Sequence, residues 1–265
     1  MPIAPLLAGY DNVILDLDGC VWVGDKPTPG AAEAVAELRR AGRQVAFLTN
    51  NSRSSPEDYV RQLWALGIQA SLEEIVTSGA AVQYMLAGRE RRNAFVIGSA
   101  ALFRHVAEAG HRIVNGTGGA SSAEVVVVAG HESFDYDQLR DATQAVLAGA
   151  EMIAADRDRI FPQEDGMWPG SGAIVAALEY ATGQTAHAVG KPRPEIFRTA
   201  LDRLGDGRTL VIGDRLDADL QGAAAAGLDA AIVLTGVASR EDAQAASDPA
   251  PIAVAENLHA LVVSQ

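Results

Sequence analysis

Short apolar runs alternate with longer amphipathic ones along this chain. Residues 13–17 (VILDL), 44–49 (QVAFLT), 209–214 (TLVIGD) and 230–234 (AAIVL) read as buried strands, five or six residues long. Residues 29–42 (PGAAEAVAELRRAG) and 55–67 (SPEDYVRQLWALG) instead space apolar residues three and four apart. Each has proline near its start and glycine past its end, the punctuation of a helix. Residues 187–190 (HAVG) read as a further short strand of the same sheet, followed by helices at 194–205 and 218–227. This βαβα rhythm predicts a parallel sheet with helices on both faces. The middle of the chain repeats the alternation as a unit of its own. Strands AFVIG, EVVVVAG and EMIAA are separated by the helical stretches SAALFRHVAEAG and YDQLRDATQAVLAGA. The expected organisation is a discontinuous core of residues 1–80 and 186–265, interrupted by an inserted α/β domain at 81–185.

Composition narrows the partners. The 265 residues carry a formal net charge of −13, which disfavours nucleic acid or an anionic membrane surface, since both need a basic face. The single cysteine, Cys20, leaves no internal disulfide to form. The first residues lack the basic region of a signal peptide, and no run approaches the roughly 20 apolar residues of a membrane span. The expected location is cytoplasmic.

Ligands of open parallel sheets sit beyond the carboxyl ends of the strands, and polar residues gather at those ends here. Asp16 and Asp18 bracket Leu17 at the end of the first strand, so both carboxylates point the same way. Thr49, Asn50, Asn51 and Ser52 end the second; Lys191 and Pro192 follow HAVG; Asp214, Asp217 and Asp219 follow TLVIG. Carboxylates, one ammonium, a hydroxyl and backbone amides form a hard-oxygen set suited to Mg²⁺ and a phosphate. One acid can act as nucleophile on phosphorus and a second as proton shuttle. Singly, each residue reads as a turn, a helix cap or a first-turn acid; together and in order they read as phosphoryl-transfer chemistry.

DLDG (16–19), LTNNS (48–52), VGKP (189–192) and IGDRLDADL (212–220) resemble, in order, the four motifs of the haloacid dehalogenase superfamily. DLDGCVWVGDKPTPGA and GDRLDADLQGAAAAG are similar to its subclass IIA, the p-nitrophenyl phosphatase and glycerol-phosphate phosphatase-like enzymes; AGHESFDYDQL and PGSGAIVAALEYATG fit that subclass too. The resemblance implies a Rossmann-like, doubly wound parallel core with an inserted α/β cap of type C2. By position it implies Asp16 as nucleophile and metal ligand, and Asp18 as general acid/base whose backbone carbonyl also binds metal. It makes Thr49 and Asn50, with Asn51 beside them, the phosphoryl-binding residues, and Lys191 the cation that neutralises nucleophile and phosphate. Asp214 becomes the third Mg²⁺ ligand, and Asp219 orients the metal's water shell. Cys20 departs from the family's usual Thr or Val and reads as packing. In the cap, Asp156 stands where relatives often carry Asn, which bears on the substrate pocket.

The function this implies is Mg²⁺-dependent hydrolysis of a small phosphorylated metabolite through an aspartyl-phosphate, with glycerol 3-phosphate the substrate suggested by overall resemblance. Two alternatives belong to other classes. A haloacid dehalogenase would lack the second acid, which Asp18 supplies; a non-catalytic phosphate-binding module would have lost a nucleophile, lysine or metal acid, and none is missing. Substrate selection is expected from the cap, with Asp156 and Asp158 in the polar AADRD segment contacting the leaving group. Trp168 and PGSG are expected to form a structural joint between cap and core, with contact to the substrate as the alternative. Caps of this subclass are common dimer surfaces, so the resemblance also allows a homodimer.

Overall fold

The computed structural model describes residues 3–163 and 166–264. They divide into two compact units. The first comprises the chain up to Thr49, Pro56–Val76 and Lys191 onward; the second comprises Asn50–Ser55 and Thr77–Gly190. In chain order the strands are β1 (Asn12–Asp16), β2 (Trp22–Val23), β3 (Lys26–Pro27), β4 (Gln44–Thr49) and β5 (Ile75–Thr77). Then come β6 (Asn93–Ile97), β7 (Arg112–Ile113), β8 (Val125–Val128), β9 (Glu151–Ala154), β10 (Ile160–Gln163), β11 (Gly166–Pro169) and β12 (His187–Ala188). The chain closes with β13 (Thr209–Gly213), β14 (Asp229–Val233) and β15 (Ala253–Ala255).

The sheet of the first unit has the order β15-β14-β13-β1-β4-β5. β1 is flanked in parallel by β13 and β4, with Leu15 opposite both Ile212 and Phe47. All five residues of β1 are buried, as expected of a central parallel strand covered on both faces. The helix Ala31–Arg40 turns Ala34, Val35 and Leu38 into the core that holds Leu15 and Phe47. Acids at the ends of β1 and β13 are thereby brought to one edge of one sheet, one strand spacing apart.

The second unit has its own five-stranded parallel sheet, β12-β9-β8-β6-β7. Val125–Val128 is wholly buried. The helices Tyr136–Leu147 and Ser171–Thr182 supply Ala142, Val146, Val175 and Leu178 to its core. Among the described residues no helix is long and apolar enough to cross a membrane.

The α/β class with parallel sheets follows the sequence pattern, but three expectations are corrected. HAVG does not join the first sheet: His187 and Ala188 pair with Ile153 and Ala154 of β9 in the second. The unit boundaries fall at 49/50, 76/77 and 190/191 rather than at 80/81 and 185/186, and Asn50–Ser55 packs with the second unit. The helix expected at 218–227 begins earlier as a wide turn, Leu216–Leu220, before the α-helical turn Gln221–Ala225.

PGSG packs closely against a loop of its own, second unit. The Gly170 and Gly172 amides donate to the carbonyls of Arg159 and Asp158, both at 2.9 Å. A Cβ on Gly170 would overlap the Asp158 carbonyl oxygen, and one on Gly172 would lie 2.6 Å from that of Arg157. Gly170→Ala should therefore cost about 1–3 kcal/mol in urea unfolding. Gly88→Ala, at a helix end with φ −81° and open space around it, should stay within about 0.5 kcal/mol of the wild type.

Candidate active site

β1 delivers Asp16, β13 leads into Asp214, and the wide turn that follows delivers Asp219. All three are buried, and a carboxylate oxygen of each lies within 4.8 Å of the others. Lys191 is buried among them. Its Nζ donates to Asp16 Oδ1 and, at 2.7 Å, to Asp219 Oδ1. The other Asp219 oxygen accepts the Arg215 N–H at 3.0 Å, and Asp214 Oδ2 accepts the Val237 N–H at 2.7 Å. Asp214 Oδ1 is buried without a hydrogen-bond partner among the described residues.

Three carboxylates against one ammonium leave two formal negative charges in a buried space. The charge balance shows in the protonation equilibria. Burial pushes the Asp16 carboxyl well up; Asp219 and Asp214 add to this and Lys191 opposes it. Asp214 is pushed up to about 6, first by burial and then by Asp219. Burial alone would pull the Lys191 ammonium down, but Asp16 and Asp219 outweigh it and hold its pKa above the usual lysine range. A group of oxygen donors with this deficit and one unsatisfied buried oxygen fits a hard divalent cation. Buried Cys20 points its thiol at the Ile212 carbonyl, 3.7 Å away, and burial followed by the same three acids drives its pKa well up. It packs as a neutral thiol.

The Asp219 carboxylate stands with those of Asp16 and Asp214. The Asp18 side chain stays out of this cluster. It is exposed and accepts the indole N–H of Trp22 at 2.9 Å. Trp22 is itself buried and stacked on Tyr59, with ring centroids 6.3 Å apart. Asp217 faces outward, held by Arg215 at 3.1 and 3.0 Å, and that pairing keeps its carboxyl below the usual range. Lys191 reaches the acids from the residue after the second unit, three residues beyond a strand of the other sheet. Thr49 is buried at the end of β4.

Two groups were not singled out by sequence reasoning. Thr235 Oγ1 donates to the Gly19 carbonyl at 2.6 Å, and Val237 holds Asp214. Both follow the carboxyl end of β14, and the strand-end rule applied to that strand would have found them.

The remaining predicted residues lie in the second unit. The Asn50 amide donates to Asp158 Oδ2 at 3.1 Å. Asn51 is turned back on its own loop, accepting from the Arg53 backbone N–H at 3.0 Å and from Arg53 Nε at 3.3 Å. Asp156 corrects an expectation. It is 3% exposed, with one oxygen taken by the Ser171 hydroxyl at 2.7 Å and the other by the Asp158 N–H at 3.0 Å, so it presents nothing to a leaving group. A cavity of about 530 Å³ opens at the amino end of β4, lined by Arg39, Trp64, Glu74 and Arg203. Arg39 there is paired with Glu74 and Arg203 with backbone carbonyls. It is remote in the fold from the strand ends that carry the acids.

Residues 13–112 match the family model described as haloacid dehalogenase-like hydrolase, and residues 188–261 match the model described as HAD-hydrolase-like. The chain is 39% identical over 237 residues to the D-glycerol 3-phosphate phosphatase of Mycobacterium tuberculosis, covering 88% of this chain and 65% of that protein. It is 31% identical over 239 residues to the acid sugar phosphatase of Staphylococcus haemolyticus, covering 89% of each. The crystal structure of the Mycobacterium tuberculosis glycerol phosphate phosphatase in complex with magnesium superposes with a TM-score of 0.89 at 37% identity, over 96% of this chain and 77% of that one.

Burial, then the Asp158 carboxylate, push Asp156 up to about 7, against the pull of Ser171, the Asp158 N–H and Arg53. A carboxyl whose pKa is raised on folding makes the native state bind the extra proton, so stability falls as pH rises from about 4 to about 7. Between pH 5 and pH 8 the wild type should lose on the order of 3 kcal/mol relative to Asp156→Asn. Urea unfolding of both proteins at the two pH values checks this.

Proposed function

The chain belongs to the haloacid dehalogenase-like hydrolases, and from that membership we propose that it is a Mg²⁺-dependent phosphatase of small phosphorylated metabolites. The observation that carries the reading is the buried trio of Asp16, Asp214 and Asp219 with the Lys191 ammonium among them. Asp16, Asp214 and the Asp18 backbone carbonyl would hold Mg²⁺, with Asp219 orienting its water shell; the ion supplies positive charge where an anionic ester meets an anionic nucleophile.

The chain's own groups then carry the reaction. A carboxylate oxygen of Asp16 attacks phosphorus, and the bond from phosphorus to the ester oxygen breaks as Asp18 passes a proton to the departing alkoxide. Asp18, now a carboxylate, takes a proton from a water whose oxygen attacks the aspartyl-phosphate. That step releases phosphate and regenerates both acids. The exposed position of the Asp18 carboxylate, outside the charge cluster and steadied by the Trp22 indole, supports its assignment to proton transfer. Lys191 offsets charge on Asp16 and the phosphoryl group, while Thr49 and Asn50 hold the phosphoryl oxygens. Presence of Asp18 argues against a dehalogenase, and retention of every motif acid and of Lys191 argues against a non-catalytic module.

The mycobacterial relative is named D-glycerol 3-phosphate phosphatase and the staphylococcal one acid sugar phosphatase; we favour glycerol 3-phosphate. The chain spans 65% of the mycobacterial protein's length. The inserted unit acts as the cap that selects the leaving group, since the core motifs address only phosphoryl group and metal. A cytoplasmic location suits an enzyme whose substrates are phosphorylated metabolites. Exposed Tyr136, Leu147 and Tyr180 on two helices of the second unit support a homodimer through that unit.

A phosphatase screen over phosphorylated metabolites tests the reading. Activity on p-nitrophenyl phosphate should vanish on exhaustive chelation and return with Mg²⁺; full activity after chelation would refute the metal assignment. Asp16→Asn should lose turnover by at least about 10³-fold and give no phosphoenzyme by mass spectrometry. Asp18→Asn should turn over slowly yet retain label from p-nitrophenyl phosphate, because an aryl oxide departs without a proton whereas hydrolysis of the intermediate still needs a base. Label on the Asp16→Asn protein would move the nucleophile elsewhere.

A further inference from the structure

Asp156 is the buried acid that the phosphatase reading leaves without a task. It lies in the loop after β9, and both its oxygens accept from the protein. Oδ2 takes the Ser171 hydroxyl at 2.7 Å, and Oδ1 takes the Asp158 backbone N–H at 3.0 Å. The Ser171 hydroxyl cannot turn elsewhere at no cost, because its oxygen already accepts the Gly130 N–H at 2.9 Å. From the other side, the Gly172 N–H donates to the Asp158 carbonyl. The Asp158 backbone is thus fixed at its amide by Asp156 and at its carbonyl by the following helix.

The Asp158 side chain carries that order to Asn50. Its Oδ2 receives the Asn50 Nδ2–H at 3.1 Å. Asn50 is 6% exposed, and its own carbonyl accepts the Ser78 hydroxyl at 2.5 Å. An asparagine side chain has a donor end and an acceptor end, whereas a carboxylate only accepts, so Asp158 dictates which end of Asn50 faces it. The opposite end is confined as well: a Cβ on Gly190 would lie 2.7 Å from Asn50 Oδ1 and 3.1 Å from the Asp156 Cβ. Asn50 directly follows Thr49 at the end of β4.

We propose that Asp156 is a positioning residue for phosphoryl binding: it fixes the Asp158 backbone so that the Asp158 carboxylate holds the Asn50 amide in the orientation that a phosphoryl oxygen requires. The inference rests on the assignment of Asn50 to the phosphoryl group made above. It gives the acid of AADRD a task in phosphoryl binding rather than in contact with the leaving group. Disturbing it should therefore weaken binding of every phosphate ester and of inorganic phosphate alike, with no change of preference among esters.

A double-mutant cycle tests this. KM for p-nitrophenyl phosphate and the inhibition constant of inorganic phosphate are measured for wild type, Asp156→Ala, Asn50→Ala and the double variant, with Tm recorded for each. Asp156→Ala should raise both constants about ten-fold in the wild type and less than about two-fold in the Asn50→Ala background, the non-additivity of residues that act through one another. Asp158→Asn, which keeps an acceptor, should restore most of what Asp158→Ala loses. If Asp156→Ala fails to fold, Ser171→Ala, which removes one of the two donors on Asp156, should show a smaller effect with the same non-additivity. Equal effects in both backgrounds, a fall in Tm with unchanged constants, or a changed order of preference among natural esters would overturn the proposal. Unchanged constants in Asn50→Ala alone would remove Asn50 from phosphoryl binding and this inference with it, while the phosphatase reading would still stand on the chelation and Asp16→Asn results.

Discussion

Everything around the candidate active site answers to one constraint: three buried carboxylates face a single ammonium. Such an arrangement is costly unless each charge is paired or bonded. Lys191 meets two of the acids, backbone amides meet Asp214 and Asp219, and one oxygen of Asp214 is left over. Burial, with the neighbouring acids adding to it, makes Asp16 and Asp214 hold their protons more tightly than usual, and the paired acids do the same for Lys191 against the pull of burial. The deficit of positive charge makes the site receptive to a divalent cation.

Bringing the acids so close requires that nothing else occupy the space. Gly19, Gly213 and Gly236 abut the Asp214 or Asp219 side chains, and a Cβ on any of the three would collide with a carboxylate. Gly19 also has φ +91°, a conformation that an L side chain rarely adopts. These glycines belong to the electrostatics as much as to the turns. They let backbone rather than side chains surround the acids, so that amides such as that of Val237 can donate to them.

The inserted unit obeys a different economy. Its five-stranded sheet is parallel and its core apolar, and several of the polar groups it buries are tied to one another. Asp156, Ser171 and Asp158 form a chain of hydrogen bonds ending on Asn50. The glycines of PGSG allow the helix start to lie against this loop, and the loop in turn limits how its acids are used. Burial has made Asp156 a support for its neighbours.

The periodicity of the chain was enough to establish the α/β class and to place acids at the ends of the strands beginning at Asn12 and Thr209. Central parallel strands are continuous apolar runs and their flanking helices amphipathic, so both are local signals. The identity of Asp16, Asp214 and Lys191 as a set was legible for the same reason, since strand ends mark where ligands gather. Other features depended on distant pairing. A two-residue strand such as His187–Ala188 has no periodicity to declare its sheet, and only its pairing with the strand Glu151–Ala154 decided that it serves the inserted unit. Nothing local marks Asp219 as standing among the clustered acids, Trp22 as the partner of Asp18, or Asp156 as enclosed. An aspartate in a polar loop looks alike whether it faces solvent or lies beneath a helix start. Burial and hydrogen-bond partners are set by segments far apart in the chain, and those only the tertiary structure brings together.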